Sequence, residues 1–194
     1  MLITPKHTID EALSDVKSQL TRAAADNHHK MRFFSVSTLD LDTHSINNRM
    51  VVLRTFFNDW RVRFYTDFRT QKVLELKQNP QTSLLFWDSS KNIQIRMKTT
   101  AIIYHNDDLS KREWTHVQGE ARKSYNSRLK PGSPIASPDE AYLWPAELSD
   151  EYFTVIDCIP FSLQILQLNR QEHLSLVFTR TDPAHEWNGG WIVP

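Results

Sequence analysis

Residues 48–54, Asn48-Arg49-Met50-Val51-Val52-Leu53-Arg54, place two guanidinium groups around an apolar run. Alternate side chains of an extended strand face opposite ways, so Arg49 and Arg54, five positions apart, would point to different faces. One could meet a phosphate while the other faces a second cavity or solvent. Equally, the pair could be the charge that blunts an edge strand. A second cluster follows at Tyr65-Thr66-Asp67-Phe68-Arg69-Thr70-Gln71-Lys72, where a strand pattern gives way to a helical one near Thr70. The first N–H groups of a helix lack partners within it; beside a hydroxyl and an ammonium they make an anion site. Lys72 in the first turn opposes the helix dipole, which a bound phosphate would explain. An ordinary Thr70 cap beside a solvated lysine is the plainer alternative. Gln94, between Ile93 and Ile95, shares a face with Arg96 and Lys98. It is either a surface position or a donor to the polar edge of a ring-shaped ligand.

Other chemistries lack their residues. The 8 His form no HExxH, and adjacent His28 and His29 point apart. The single Cys158 excludes an intrachain disulfide and a cysteine-based zinc cluster, and reads as a small buried residue. The 4 glycines, Gly119, Gly132, Gly189 and Gly190, spell neither GxGxxG nor a P-loop. No GxSxG nucleophile elbow is present. Lys+Arg and Asp+Glu stand at 23 each, so there is no basic excess for nucleic acid or an anionic membrane. Any anion site must be local. Met1–Asp15 is too polar for a signal peptide, and no apolar run reaches the ~20 residues of a membrane span. With 40% hydrophobic and 24% charged residues, a cytoplasmic globular protein is expected. Aromatic residues, at 11%, suit a core, an interface or a planar ligand.

The elements that must position these groups follow from pattern. Thr8 with Glu11 makes a capping box for a helix to Ala25, whose Ile9, Leu13, Val16, Leu20 and Ala24 share a face. Strand patterns cover residues 32–39, 46–57, 60–67, 82–87, 93–105 and 153–168, the last broken at Pro160; 173–180 and 191–193 close the chain as a hairpin. A short helix spans 70–78 and stops at Asn79-Pro80. Residues 109–128 read as two helical pieces divided at Gly119, and 130–147, with Pro131, Pro134, Pro138 and Pro145, as an ordered arm. Asp107-Asp108 and Asp139-Glu140 read as helix starts. The sum is a mainly β, α+β fold: an antiparallel barrel of six to seven strands with an N-terminal helix and short inserted helices, as a single domain over 1–194. A small barrel is filled by its own side chains, so a ligand must sit at its outside, a mouth or a subunit interface.

The order of these pieces resembles the pyridoxamine 5'-phosphate oxidase-like flavin proteins. The resemblance rests on RMVVLR (Arg49–Arg54), FYTD (Phe64–Asp67), a small polar residue and lysine before a helix (Thr70–Lys72), NP before an apolar strand (Asn79–Trp87), the glutamine strand (Gln94) and the final WIVP. It covers roughly residues 31–97 well and the remainder loosely. The family implies a split β-barrel homodimer with FMN in each of two clefts between subunits. Carried over, Arg49 and Lys72 are phosphate ligands, with Thr66 and Gln71 near them. The backbone of Met50, Val51, Val52 and Leu53 runs along the ring, with Arg54 at its end; Tyr65 opens the phosphate loop and Gln94 reaches the ring edge.

On the substrate side the resemblance weakens. Arg54 takes a lysine position and Trp114 a tyrosine position. VQGEARKSY (Val117–Tyr125) replaces the stretch that supplies an arginine and a serine to the substrate phosphate, leaving Arg122 or Lys123 as substitutes. In LNRQEHLSL (Leu168–Leu176) only His173 keeps its type; Gln171 and Ser175 stand where arginines are expected. The sequence is thus similar to a divergent branch of the family rather than to the oxidase proper. The resemblance implies an FMN-dependent oxidoreductase that passes a hydride from a small amine or other donor to FMN, and on to oxygen or another acceptor. A non-catalytic flavin or small-molecule binding module on the same barrel is the alternative. Neither a metal, a nucleic acid nor a membrane is expected as partner.

Overall fold

The structure, a computed structural model, describes residues 1–170 and 172–194; Gln171 lies outside the described residues. Helix α1 (Ile9–Ala25) carries the expected capping box: Thr8 accepts from the Glu11 N–H, and the Glu11 carboxylate accepts from the Thr8 N–H at 2.8 Å. A one-turn 3-10 segment leads into β1 (Phe33–Asp40), followed by β2 (Ser45–Val52), β3 (Thr55–Phe56), β4 (Val62–Asp67), α2 (Gln71–Gln78), β5 (Gln81–Asp88) and β6 (Ile93–His105). After α3 (Asp108–His116) come a 3-10 segment starting at Gly119 and the proline-rich arm, then β7 (Phe153–Gln167), β8 (Leu174–Thr179) and β9 (Asn188–Ile192).

Among the described residues there are nine strands in one antiparallel sheet, not six or seven. Two expectations about strand breaks are corrected. The run 46–57 is two strands, because the chain changes partner within it: β2 pairs with β1, then Leu53 N–H donates to Arg32 O at 2.8 Å and Arg54 N–H to Arg63 O at 2.9 Å, and β3 pairs with β4. Conversely, Pro160 does not break β7. The register against β6 shifts there, from Lys98↔Ser162 to Thr99↔Pro160, so Phe161 is the extra residue of a bulge that tolerates the missing N–H. The final strand also starts earlier than expected, at Asn188. Gly189 belongs in it because a Cβ would lie 2.3 Å from Val177 O and 2.4 Å from the Phe178 ring.

The sheet order β2-β1-β5-β6-β7-β4-β3 curls around a core of Phe34, Val36, Phe64, Phe86, Ile95 and Met97. Phe34 stacks on Phe86 with centroids 4.6 Å apart, and α1 covers the core with Ala12, Val16, Leu20 and Ala23. Helix α2 buries Val73, Glu75 and Leu76 against β1 and β6. The outer face stays unusually apolar for a solvated surface: Phe33, Ile46, Met50, Leu85 and Trp87 are all exposed.

Candidate functional site

The turn from β4 into α2 and the inner side of β2 meet at one cluster of charge. Register puts Arg49 opposite Val36 and Asn47 opposite Thr38, so Arg49, Asn47 and Thr38 share the sheet face that α2 covers. Arg49 Nη1 donates to Thr38 Oγ1, and its Nη2 donates to Glu75 Oε2 at 3.1 Å. One turn earlier on α2, Lys72 Nζ donates to Thr66 Oγ1 at 2.9 Å. Thr70 is the N-cap, but its hydroxyl donates back to Asp67 O at 2.7 Å and caps no helix N–H. The cap alternative therefore loses its main bond, and the first N–H groups of α2 keep their capacity for an outside acceptor. Asp67 is held by Arg69, whose Nη2 donates to Asp67 Oδ2 at 2.7 Å and to Ser127 O at 2.8 Å. Burial, and after it the charge of Arg49, push the Lys72 ammonium down to about 8, against the pull of Asp67 and Glu75. Two cations this close, in a place that penalises charge, form a donor set suited to a dianion. Gln71, on the exposed side of the same turn, lines a small cavity of about 240 Å³ with Lys130, Pro131, Gly132 and Ser133 of the proline-rich arm.

Arg54 belongs elsewhere. Because the strand ends before it, face parity with Arg49 does not apply, and its guanidinium lies over the Tyr65 ring, 5.3 Å from the centroid. Its Nη2 donates weakly to the Tyr125 hydroxyl at 3.5 Å, and its buried Nε has no partner. Tyr65 donates to Glu113 Oε2 at 2.8 Å, and Arg63 joins Glu113 (2.8 Å) to Asp157 in a two-pronged pair of 2.7 and 2.8 Å. Burial and the bond to Glu113 raise the Tyr65 phenol, so it stays protonated. Burial pushes Glu113 up, but the Tyr65 hydroxyl and the Arg63 charge outweigh it and leave the carboxyl below its ordinary value. Trp114 packs on Phe153 and Tyr125 at 5.3 and 6.4 Å, with the Arg122 guanidinium 4.9 Å above it. Arg54, Tyr65 and Trp114 thus share one aromatic neighbourhood, whereas His173, exposed just before β8, joins neither cluster within one copy.

Gln94 is separated from the charged cluster. It sits between buried Ile93 and Ile95, and pairs across with Trp87 and Leu166 on the outer face. Met50 shares that outer face, while Val51 packs toward the core. Sequence reasoning missed Thr38, Asn47, Glu75, Arg63, Glu113, Tyr125 and Asp157. Only Glu75 carried a local signal, three residues after Lys72 on the same helical face. Among the described residues, no three or more His, Cys, Asp or Glu side chains are grouped so that they could hold a metal ion.

Residues 14–105 match the family model described as "Pyridoxamine 5'-phosphate oxidase, FMN-binding domain". Over these residues, just under half of the chain, the sequence is similar to that domain. The match runs from α1 to the end of β6, and so includes every residue of the charged cluster and Gln94 but neither Trp114 nor His173. No curated protein matches the sequence. Solved structures share its architecture. A pyridoxamine 5'-phosphate oxidase-related, FMN-binding protein from Nostoc punctiforme is 20% identical over 100% of both chains, with a TM-score of 0.78. PhzG from Burkholderia lata, solved with tetrahydrophenazine-1-carboxylic acid, is 16% identical over 94% of this chain and 92% of its own, with a TM-score of 0.72. A protein from Clostridium acetobutylicum related to general stress protein 26 is 15% identical over 82% and 90%, with a TM-score of 0.54. At these identities the likeness shows the fold: the chain is a split β-barrel. No helix of the described residues is long and apolar enough to cross a membrane.

Proposed function

We propose that this protein is an FMN-dependent oxidoreductase, acting as a homodimer with one FMN per subunit in a cleft between the two copies. The observation that carries the reading is the convergence of Arg49, Lys72 and Thr66 at the uncapped start of α2. Arg49 and Lys72 would take the phosphate, with Thr66 and Gln71 beside them. The end of β2 and the break that follows it, Arg49, Met50, Val51, Val52, Leu53 and Arg54, would lie along the flavin ring, with Tyr65 at the start of the phosphate loop. When bound, FMN would supply the hydride chemistry, so the reading requires no separate acid–base pair from the protein. The protein contributes placement, charge for the phosphate and exclusion of water.

The aromatic neighbourhood of Arg54 supports a substrate side. Among the described residues Arg54 keeps an unpaired buried Nε, and it lies over the Tyr65 ring and beside the Tyr125 hydroxyl, at the edge of the aromatic cluster that includes Trp114. That combination suits a planar donor carrying an acidic group, and the Burkholderia relative was solved with such a molecule.

Titration of the purified protein with FMN, followed by flavin absorbance and fluorescence, tests the reading. About one FMN per chain, with flavin reduced by an added donor and reoxidised in air, supports it. A protein that takes up no FMN would remove it, and one that holds FMN but turns over no donor favours the binding module.

A further inference from the structure

Glu75 is a carboxylate only 1% exposed, on the face of α2 that turns toward β1 and β2. Burying such a group is costly unless each oxygen is bonded. Here both are. Oε1 accepts from Asn47 Nδ2 at 2.6 Å, and Oε2 accepts from the Thr38 hydroxyl and from Arg49 Nη2 at 3.1 Å. Thr38 also accepts from Arg49 Nη1. The guanidinium is therefore gripped on two nitrogens by a closed triangle of Arg49, Thr38 and Glu75. Its side chain is nonetheless 23% exposed, so one side remains open to an outside anion. Among the described residues Lys72, one turn earlier, has no carboxylate partner of its own and bonds only the Thr66 hydroxyl.

Two opposite roles follow from simple electrostatics. A carboxylate beside a phosphate site repels the phosphate. A carboxylate behind an arginine fixes the fork and spares the ligand the entropy of ordering it. Geometry decides between them. Glu75 is sealed behind Arg49 and Thr38, so its charge is spent on the guanidinium, and the open side of Arg49 is presented by a frozen side chain. We infer that Glu75, through Thr38 and Arg49, is a positioning residue for the phosphate of the bound cofactor, so that the protein's preference for a phosphorylated flavin depends on it. This rests on the flavin reading given above.

The test compares FMN with riboflavin, which has the same ring and lacks the phosphate. Wild-type protein and Glu75→Gln are titrated with each. Loss of one charge-assisted bond and of the ordered fork should cut the FMN-to-riboflavin affinity ratio by about tenfold or more. Riboflavin affinity itself should be little changed. A merely structural role would weaken both flavins alike and leave the ratio in place, and a repelling role would raise it; either result overturns the inference. Wild type that binds riboflavin and FMN equally also overturns it while leaving a flavin protein. Wild type that binds neither removes the flavin reading itself and the inference with it. Should Glu75→Gln fail to fold, Thr38→Val, which deletes the hydroxyl link to Arg49, carries the same expectation with a smaller fall.

Discussion

Arg49 and Gln94 lie on opposite faces of one sheet. Arg49 pairs with Val36, Val36 with Leu84 and Leu84 with Met97, all on the core-facing side. Gln94 is three residues from Met97 on the same strand and so faces outward, among Met50, Leu85 and Trp87. One copy of the chain cannot easily bring both groups to one ligand. Two copies can, if the apolar outer face of one meets the Arg49–Lys72 cluster of the other.

That arrangement makes a prediction about mixed subunits. Arg49→Ala and Gln94→Ala should each lose flavin affinity as homodimers. Refolded together, the mixed dimer has one cleft with both substitutions and one with neither, so about half of the wild-type flavin content should return. Flavin absorbance of a doubly tagged, purified mixed dimer measures it. If no flavin returns, the two residues act within one chain or not at all.

Lys72 gives the site a pH dependence. Its ammonium, held down to about 8 in the ligand-free chain, is charged near neutrality and neutral at higher pH. A phosphate dianion binds the charged form. FMN affinity should therefore fall as pH rises through about 8, while riboflavin affinity stays level. In Lys72→Met the step should vanish and FMN binding near neutrality should fall by roughly one to two orders of magnitude, the value of one charge-assisted bond. Fluorescence titrations across that range read both.

Arg63 is the hinge of the buried ion network. It bonds Asp157 twice and Glu113 once, and Asp157 is fully buried. Arg63→Met would leave two carboxylates without their main partner, a loss of about 3–5 kcal/mol by the usual cost of breaking a buried pair. Urea unfolding at neutral pH should show it as a lower midpoint. A midpoint within error of wild type would mean that Arg61, 3.0 Å from Asp157, replaces it.

Asp88 sets acid stability at the β5–β6 turn. Burial pushes its carboxyl up, but bonds from Lys91 and from Ser90 bring it down to about 2. A lowered carboxylate contributes stability above its unfolded value of 3.8, and the contribution is lost as pH falls toward 2. Asp88→Asn should therefore be less stable than wild type near neutrality, and the difference should shrink in that acid window. Thermal melts of both proteins at several pH values check it.

The sequence alone determined what local rules govern. Thr8 and Glu11 announced the start of α1, alternation at 93–105 announced β6, and Asn79-Pro80 ended α2, because capping, pleat and proline act within a few residues. Thr66 and Lys72 could be paired from sequence because they flank one turn, whereas Arg49, inside β2, was joined to them only by the family resemblance. What tertiary structure decided was where strands exchange partners and which side chains are satisfied from afar. The break at Leu53-Arg54 arises from the switch between β1 and β4, and the continuity through Pro160 from a bulge against β6. Glu75 stands three residues after Lys72, but only the packing of α2 on the sheet buries it and obliges Arg49, Asn47 and Thr38 to satisfy it. A buried carboxylate takes its partners from whatever the fold brings near, and that is fixed by topology rather than by spacing along the chain.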